Sequence, residues 1–238
     1  PICMSVDRLG VRMSVRDEFD DWAREGRDKG MEERHWHTAK HVLARMPVEE
    51  GETVLDLGTG SGYALRALRE TKGAGRGYGV DASPEMLRNA RSYTDDPKLG
   101  FLRGRFGALP FDDDSVDHVF SMEAFYYADD PRDALGEVRR VLRSGGTFFC
   151  AVNFFEESEH THVWQEKVDV EMTLWSSAEY REAFREAGLH VAEQDCIADN
   201  EVGIPPEDEF PTEDWKTREA MYDRYRRWGT LLTVGVVP

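Results

Sequence analysis

The sequence predicts an α/β protein, a largely parallel β-sheet with helices on both faces and a helical cap in front of it. Three observations carry that expectation. Thr53-Val54-Leu55-Asp56-Leu57 is a short apolar strand that runs into glycines at 58, 60 and 62 and then into a helical pattern. Gly77-Tyr78-Gly79-Val80-Asp81 is a second apolar run, closed by a carboxylate about 20 residues beyond the glycines, where α/β folds place the acid that holds ribose hydroxyls. Strand-like and helix-like segments then alternate to residue 153, the order expected of βαβ units.

Taken in order, residues 19–31 read as a short helix that breaks at glycines, and residues 32–46 as a second helix. Glu33, His37 and His41 are four apart on one face of it, with His35 nearby; that spacing permits a metal but does not specify one, and no distant Cys/His cluster completes a site. After the first strand, glycines let the backbone turn sharply and approach a ligand that a Cβ would exclude, and the following helix offers its positive N-terminal end. A dinucleotide-binding turn would carry a third glycine where Tyr63 stands, and Asp56 is no part of that fingerprint. Ser83 is placed to cap a helix with Pro84 in its first turn, and Asp81 either grips a ribose or merely caps that helix.

Gly104-Arg105-Phe106-Gly107-Ala108-Leu109-Pro110-Phe111 precedes an acidic turn and the strand Val116-Asp117-His118-Val119-Phe120-Ser121-Met122, with Glu123 directly after it. Residues 134–142 have a helical period, a glycine turn ends them, and residues 147–153 form the next strand. An insertion at 154–175 then interrupts the alternation before a helix resumes at Ser176 and stops at Gly188. Loops beyond the carboxyl ends of parallel strands line the ligand crevice, so the insertion stands where a substrate binds. Residues 189–197 and 230–237 read as the last two strands, joined by an acidic, proline-containing stretch and a helical, arginine-rich one at 213–228. Tyr222, Tyr225 and Trp228 in that helix read as packing residues.

Asp-Leu-Gly-Thr-Gly-Ser-Gly at 56–62 resembles the first motif of class I S-adenosylmethionine-dependent methyltransferases. Val-Asp-Ala-Ser-Pro-Glu-Met-Leu at 80–87 resembles the second, and the helix, glycine turn and strand at 134–153 a late one. The resemblance spans 52–153 and weakens toward 189. It is broadest to enzymes of the methyltransferase type 11 group, which includes ubiquinone and menaquinone biosynthesis.

It implies a Rossmann-like seven-stranded sheet of order 3-2-1-4-5-7-6 with the last strand antiparallel. A cap at 1–46 precedes a methyltransferase domain at 47–238 with substrate-side insertions at 154–175 and 199–228. It implies S-adenosyl-L-methionine as cofactor, held by Asp56, Gly58, Thr59, Gly60, Asp81, Ala82, Met86, Arg105, Phe106, Gly107 and Met122, with Trp22, Arg27, Gly30 and Met31 closing over it. Arg105 and Phe106 depart from the family, which usually has an acid and an alanine there, so stacking by Phe106 or a backbone carbonyl has to replace the missing acceptor for adenine.

In-line attack on a sulfonium methyl needs alignment more than covalent help. Glu123 is the acid expected nearest the methyl, with Tyr126, His35 and His37 as further catalytic candidates. Tyr127, Asn153, His160, His162 and Trp164 are the candidates for contacting a small-molecule acceptor; Trp164 either stacks on it or anchors its loop. A non-catalytic cofactor-binding protein, a protein methyltransferase and an NAD-dependent oxidoreductase remain the alternatives.

Composition limits the partners. A formal charge of −17 argues against nucleic acid, whose phosphates are bound by basic surfaces. The only lysines are Lys29, Lys40, Lys72, Lys98, Lys167 and Lys216, and an acid-rich, lysine-poor surface predicts either a halophilic source or simple solubility by negative charge. No apolar stretch approaches the roughly 20 residues that span a bilayer, and no secretory pattern opens the chain, which predicts a cytoplasmic protein. Cys3, Cys150 and Cys196 are too dispersed for a metal or redox pair; the latter two read as buried fillers. No oligomeric state is predicted.

Overall fold

The structure, a computed structural model, describes residues 13–238. Cys3 and the first part of the expected cap lie outside the described residues. The chain begins with α1 (Val15–Arg24) and α2 (Arg27–Arg45). The Rossmann-like core follows: β1 (Thr53–Leu57), α3 (Tyr63–Lys72), β2 (Arg76–Asp81), α4 (Pro84–Ser92), β3 (Leu99–Arg103), β4 (Val116–Met122), α5 (Pro131–Val141) and β5 (Leu142–Val152). The last part comprises α6 (Trp164–Lys167), α7 (Ser177–Glu186), β6 (His190–Ile197), α8 (Arg218–Tyr222) and β7 (Thr230–Val236).

Among the described residues the sheet has seven strands in the order 3-2-1-4-5-7-6, as expected, with β7 antiparallel to both β5 and β6. Side chains on a strand alternate between faces, and a sheet covered on both sides must be apolar on both. The central strands obey this. Leu55, Leu57, Val119, Phe148, Cys150 and Val152 pack into one core, which α5 and α7 cover through Leu135, Val138 and Phe184. Val54, Phe120, Phe149 and Ala151 pack into the other, under Ala39 and Val42 of α2 and Leu65 and Leu68 of α3.

Helix ends follow local chemistry. Ser83 Oγ accepts the Met86 amide at 3.0 Å with Pro84 in the first turn, and Ser176 forms a reciprocal capping box with Glu179. Three expectations shift. The N-terminal helices break at Gly26 (φ 72°), and Gly30 sits inside α2, because only the first of these glycines adopts the left-handed backbone that ends a helix. The helix expected at 213–228 begins only at Arg218, capped by Thr217, and passes into a π-helical turn at Asp223–Trp228. Cys150 is buried, but Cys196 is only half-buried because β6 is an edge strand.

Candidate active site

The strand order reverses between β1 and β4, and the crevice of an open α/β sheet forms at that switch, beyond the carboxyl ends of the strands. A cavity of about 1300 Å³ opens there. A pocket for one drug-sized ligand is about 300–1,000 Å³, so this space has room for two molecules.

At one end lies the glycine loop. Gly58 has φ 74°, and a Cβ on it would stand 2.2 Å from that of Ala124, so no other residue fits between β1 and the segment after β4. The amides of Gly58, Thr59 and Gly60 are already engaged within the protein. Those of Gly58 and Thr59 donate to Val80 O at 2.8 and 3.1 Å, and that of Gly60 donates to Asp81 Oδ2 at 3.0 Å, because the left-handed glycines fold the loop back onto β2. Asp81 Oδ1 accepts the Ser83 amide at 2.9 Å. An ionised carboxylate offers about four acceptor sites, so Asp81 retains capacity toward the cavity it lines. Beside it, Asp56 accepts the Thr59 hydroxyl at 2.7 Å. Phe106, Met86 and Ala82 form an apolar wall on which an aromatic base can lie; Phe106 itself stacks on Phe125, with ring centroids 6.2 Å apart and an 8° interplanar angle. Arg105 sits on the exposed rim, paired with Asp129 at 3.4 Å.

Glu123 occupies the middle of the cavity wall. Its φ of 54° is a left-handed backbone, which costs a non-glycine residue about 1–2 kcal/mol and persists only where the surroundings enforce it. The Glu123 amide extends the β4–β5 ladder to Ala151 O at 2.9 Å. Oε2 accepts the Asn153 amide at 3.0 Å and the Tyr126 hydroxyl at 3.1 Å, while the buried Oε1 has no partner. Burial pushes the carboxyl up to about 7, against the opposing pull of the Asn153 amide, the Arg224 charge and the Tyr126 hydroxyl. Glu123 does not cap the 3-10 turn that follows; its side chain faces back toward β5. Tyr126 is held protonated by burial and by this carboxylate.

α1 and α2 close the end of the cavity beside Asp81. Asp20 of α1, 3% exposed, accepts the Ser83 hydroxyl at 2.6 Å and the Glu85 amide at 3.2 Å, immediately after Asp81. Glu32 of α2 accepts the Ser61 hydroxyl at 2.8 Å and a two-toothed contact from Arg66 at 3.1 Å. His35 lines the cavity with its imidazole pushed down to about 4 by burial and the Arg34 charge, so it is neutral. His37 also lines the cavity, but its Nδ1 lies 3.1 Å from Asp199 Oδ2 and ties α2 to the second insertion. Glu33 and His41 are exposed, and among the described residues no three His, Cys, Asp or Glu side chains converge as metal ligands.

Most of the residues expected from sequence meet around this one cavity: Asp56, Gly58, Thr59, Gly60, Asp81, Ala82, Met86, Arg105, Phe106, Met122, Glu123, His35, His37, Tyr126, Tyr127, Asn153, His160 and Trp164, with Trp22 and Met31 from the cap. Four do not. His162 turns inward, its Nε2 3.3 Å from Phe155 O and its ring against Phe154, because a two-residue step on a helical turn carries it away from His160. Gly107 lies outside the lining, beyond the turn that presents Phe106. Arg27 stacks over Trp22 at 3.8 Å instead of entering, and Gly30 lies exposed within the run of α2. Of the three aromatics read as packing, only Trp228 packs against the core, half-buried beside Phe155; Tyr222 is exposed and Tyr225 lines the cavity beside Trp215. Sequence reasoning missed Asp20, Glu32, Tyr63, Lys167, Trp215, Lys216 and Arg224. Tyr63 was noticed only as a missing glycine, yet its buried hydroxyl has no partner and it lines the cavity.

Asp56, Asp81 and Glu123 share one electrostatic condition. Burial raises all three, with Asp56 pushed up to about 7, and among the described residues none pairs with a cationic side chain. A cavity walled by unpaired buried carboxylates suits a cationic ligand. With an apolar wall for a base and an acid positioned for a ribose, the residues fit a nucleoside-bearing cation such as S-adenosylmethionine.

Fold and cavity together define a cofactor-dependent transferase of the Rossmann-like class. Residues 55–150 match the Methyltransferase domain family. A solved complex between the Haloferax volcanii Trm112 methyltransferase activator and a chain assigned as a methyltransferase contains a chain 72% identical to this one, covering 94% of this chain and 100% of that chain with a TM-score of 0.92. Sterol 24-C-methyltransferase of Kluyveromyces lactis is 27% identical over 219 residues, 83% of this chain and 58% of that protein. Geranyl diphosphate C-methyltransferase from Streptomyces coelicolor, solved with S-adenosyl-L-homocysteine, shares the fold at a TM-score of 0.65 and 18% identity, covering 84% of this chain and 78% of that one. This chain spans about half the length, or less, of the curated relatives it matches. The protein belongs to the class I S-adenosylmethionine-dependent methyltransferases. Its cofactor is therefore S-adenosylmethionine, and the oxidoreductase alternative falls. No described helix is long and apolar enough to cross a membrane.

Proposed function

We propose that this methyltransferase acts on a small molecule whose nucleophilic atom carries a proton, and that Glu123 removes that proton. The observation that carries the reading is Glu123 itself, a buried carboxyl whose Oε1 has no partner, in the wall of a cavity with room for cofactor and acceptor together. S-adenosylmethionine supplies the electrophilic methyl group on a sulfonium. Asn153 N–H and Tyr126 hydroxyl occupy Oε2 and fix the carboxyl plane, which leaves Oε1 as the basic oxygen. The acceptor proton passes to Oε1 as the acceptor atom bonds to the methyl carbon and the carbon–sulfur bond breaks.

In this reading Asp81 holds the ribose, Phe106, Met86 and Ala82 the adenine, and Asp56 with the glycine loop the methionine end. Residues 13–46 act as the cofactor-side cap, and 154–175 and 199–228 as the acceptor side. His35, neutral and lining the cavity, orients the acceptor; His37, tied to Asp199, positions the insertion.

The test is incubation of the protein with methyl-labelled S-adenosylmethionine and a metabolite extract, followed by size separation. Label in the low-mass fraction is the expected result, and label confined to protein overturns the small-molecule acceptor. The Haloferax complex supports one further element, a Trm112-type activator as a protein partner of this chain. Co-expression with such an activator, read by co-purification and by turnover, checks it.

A further inference from the structure

Lys167, Lys216 and Arg224 are the cations that the two insertions bring to the cavity without an ion pair, as Arg34 and Arg103 do from α2 and β3. The chain carries 47 acidic side chains against 30 Lys and Arg, so cations are outnumbered, and many of them, such as Arg24, Arg66 and Arg140, sit in ion pairs. These three do not. Lys167 rests over the Trp164 ring at 5.2 Å, and Arg224 lies over Tyr225 at 5.1 Å and donates one bond, to Gly229 O at 2.8 Å. Among the described residues none of the three pairs with a carboxylate, yet all three line the same cavity.

They also arrive separately. Lys167 comes from the insertion after β5, and Lys216 and Arg224 come from the one between β6 and β7. Two independent segments thus bring positive charge to the same cavity. Glu159 and Asp214 line the same cavity, but neither forms an ion pair with these three; cations brought together without such a pair repel, and a ligand anion removes that cost. Arg224 has five N–H donors in a planar fork and uses one of them, which leaves the geometry that grips a carboxylate or phosphate. Around these heads the walls are flat and apolar: the Trp215 ring stands 5.7 Å from Tyr225, and Val168 and Met172 are buried beneath. Arg224 is also close enough for its charge to act on Glu123, so an anion held there brings the adjoining part of the molecule to the base.

We propose that the methyl acceptor is an organic anion, a carboxylate or phosphate monoester on an aromatic or apolar body, held by a cationic subsite of Arg224, Lys167 and Lys216. This rests on the methyl-transfer reading above. The anion stays charged throughout; the nucleophilic atom is elsewhere on the same molecule, beside Glu123.

The test measures binding of matched probe pairs to the full chain by calorimetry, with and without saturating S-adenosylhomocysteine: 1-naphthoate against 1-naphthamide, and phenyl phosphate against phenol. The expected result is that each anion binds at least about tenfold more tightly than its neutral counterpart, the worth of one charge-assisted hydrogen bond, and that Arg224→Gln removes the preference. The double charge reversal Lys167→Glu, Lys216→Glu alters two exposed side chains without touching the core, and it reduces the preference by a similar factor even where the Arg224 variant fails to fold. Equal binding of anion and neutral probe overturns the proposal, as does a preference that survives the double reversal. S-adenosylhomocysteine binding without anion preference sinks this inference alone, whereas anion preference in a chain that fails to bind S-adenosylhomocysteine removes the methyl-transfer reading and leaves the subsite standing. Whichever of the two anion types binds decides between carboxylate and phosphate.

Discussion

The two ends of the cavity are built by different means. At the cofactor end the main chain dominates: Gly58, Thr59 and Gly60 bond to Val80 and Asp81, so loop and acid form one rigid unit at the ends of β1 and β2. At the acceptor end the walls are side chains on short helices, a π-helical turn and loops, with long charged groups that make few protein contacts. The contrast separates what is common from what is particular. On the proposed reading, a fixed backbone cradle serves any reaction of one cofactor, and side chains on the insertions select the acceptor without disturbing that cradle.

Glu123 stands on the boundary between these ends, and changing it gives the largest expected effect. Glu123→Gln keeps size and the Tyr126 contact but cannot accept a proton, so kcat falls about 10²–10⁴-fold while the dissociation constant for S-adenosylmethionine changes little. The wild-type kcat/KM rises with pH through about 7, because the active form is the carboxylate, and the variant loses that ionisation. A drop in cofactor affinity equal to the drop in kcat would move Glu123 to the cofactor side of the comparison. Next comes Asp81→Asn, which exchanges a doubly accepting carboxylate for an amide that repels one of its amide donors. Cofactor affinity falls about a hundredfold by calorimetry, with acceptor-end probes bound as before.

Asp56 converts the comparison into stability. Burial foremost, then the Asp81 charge, raises its carboxyl to about 7, and the Thr59 hydroxyl opposes them. A carboxyl raised on folding holds its proton in the folded state while the unfolded chain ionises near 4. Its contribution is therefore complete below about 4 and is lost as pH rises through 7. Asp56→Asn removes this penalty, so denaturant unfolding shows the variant gaining on wild type by up to a few kcal/mol between pH 5 and pH 8. Saturating S-adenosylmethionine narrows that difference by supplying the missing positive charge. A constant difference across pH would mean that Asp56 ionises freely and that the cofactor end carries no stored charge.

What was legible in the sequence divides along the same line. The glycine loop, Asp81, the Ser83 cap and the strand order rest on neighbours within a few residues or on a motif that carries its own geometry. Asp20 reaches Ser83 across 63 positions and Glu32 reaches Ser61 across 29, and no local pattern marks either pairing. His160 and His162 have equal standing in sequence, and only the turn at Glu159–Thr161 decides which of them faces the cavity. Arg224 and Tyr225 were hidden because 213–228 reads as one packed helix, whereas the π-helical turn rotates them inward. The signal available was charge: two of the six lysines, Lys167 and Lys216, fall in the insertions.

The smallest effect tests how firmly the cap belongs to the cofactor end. Burial pushes the Glu32 carboxyl up, but hydrogen bonds from Ser61 and Lys29 and the charge of Arg66 outweigh it and hold it below its usual range. Its clamp is thus intact above the ordinary glutamate range and is lost only as pH falls below it. Glu32→Gln keeps the Ser61 bond and discards the charge pairing with Arg66, a partly exposed contact worth about 1 kcal/mol at most. Cofactor affinity then falls by no more than about fivefold. Amide hydrogen exchange in α1 and α2 quickens while exchange in α6 and α8 is unchanged. If exchange quickens in α6 and α8 as well, cap and insertions move as one body, and the division between the two ends is a matter of chemistry alone.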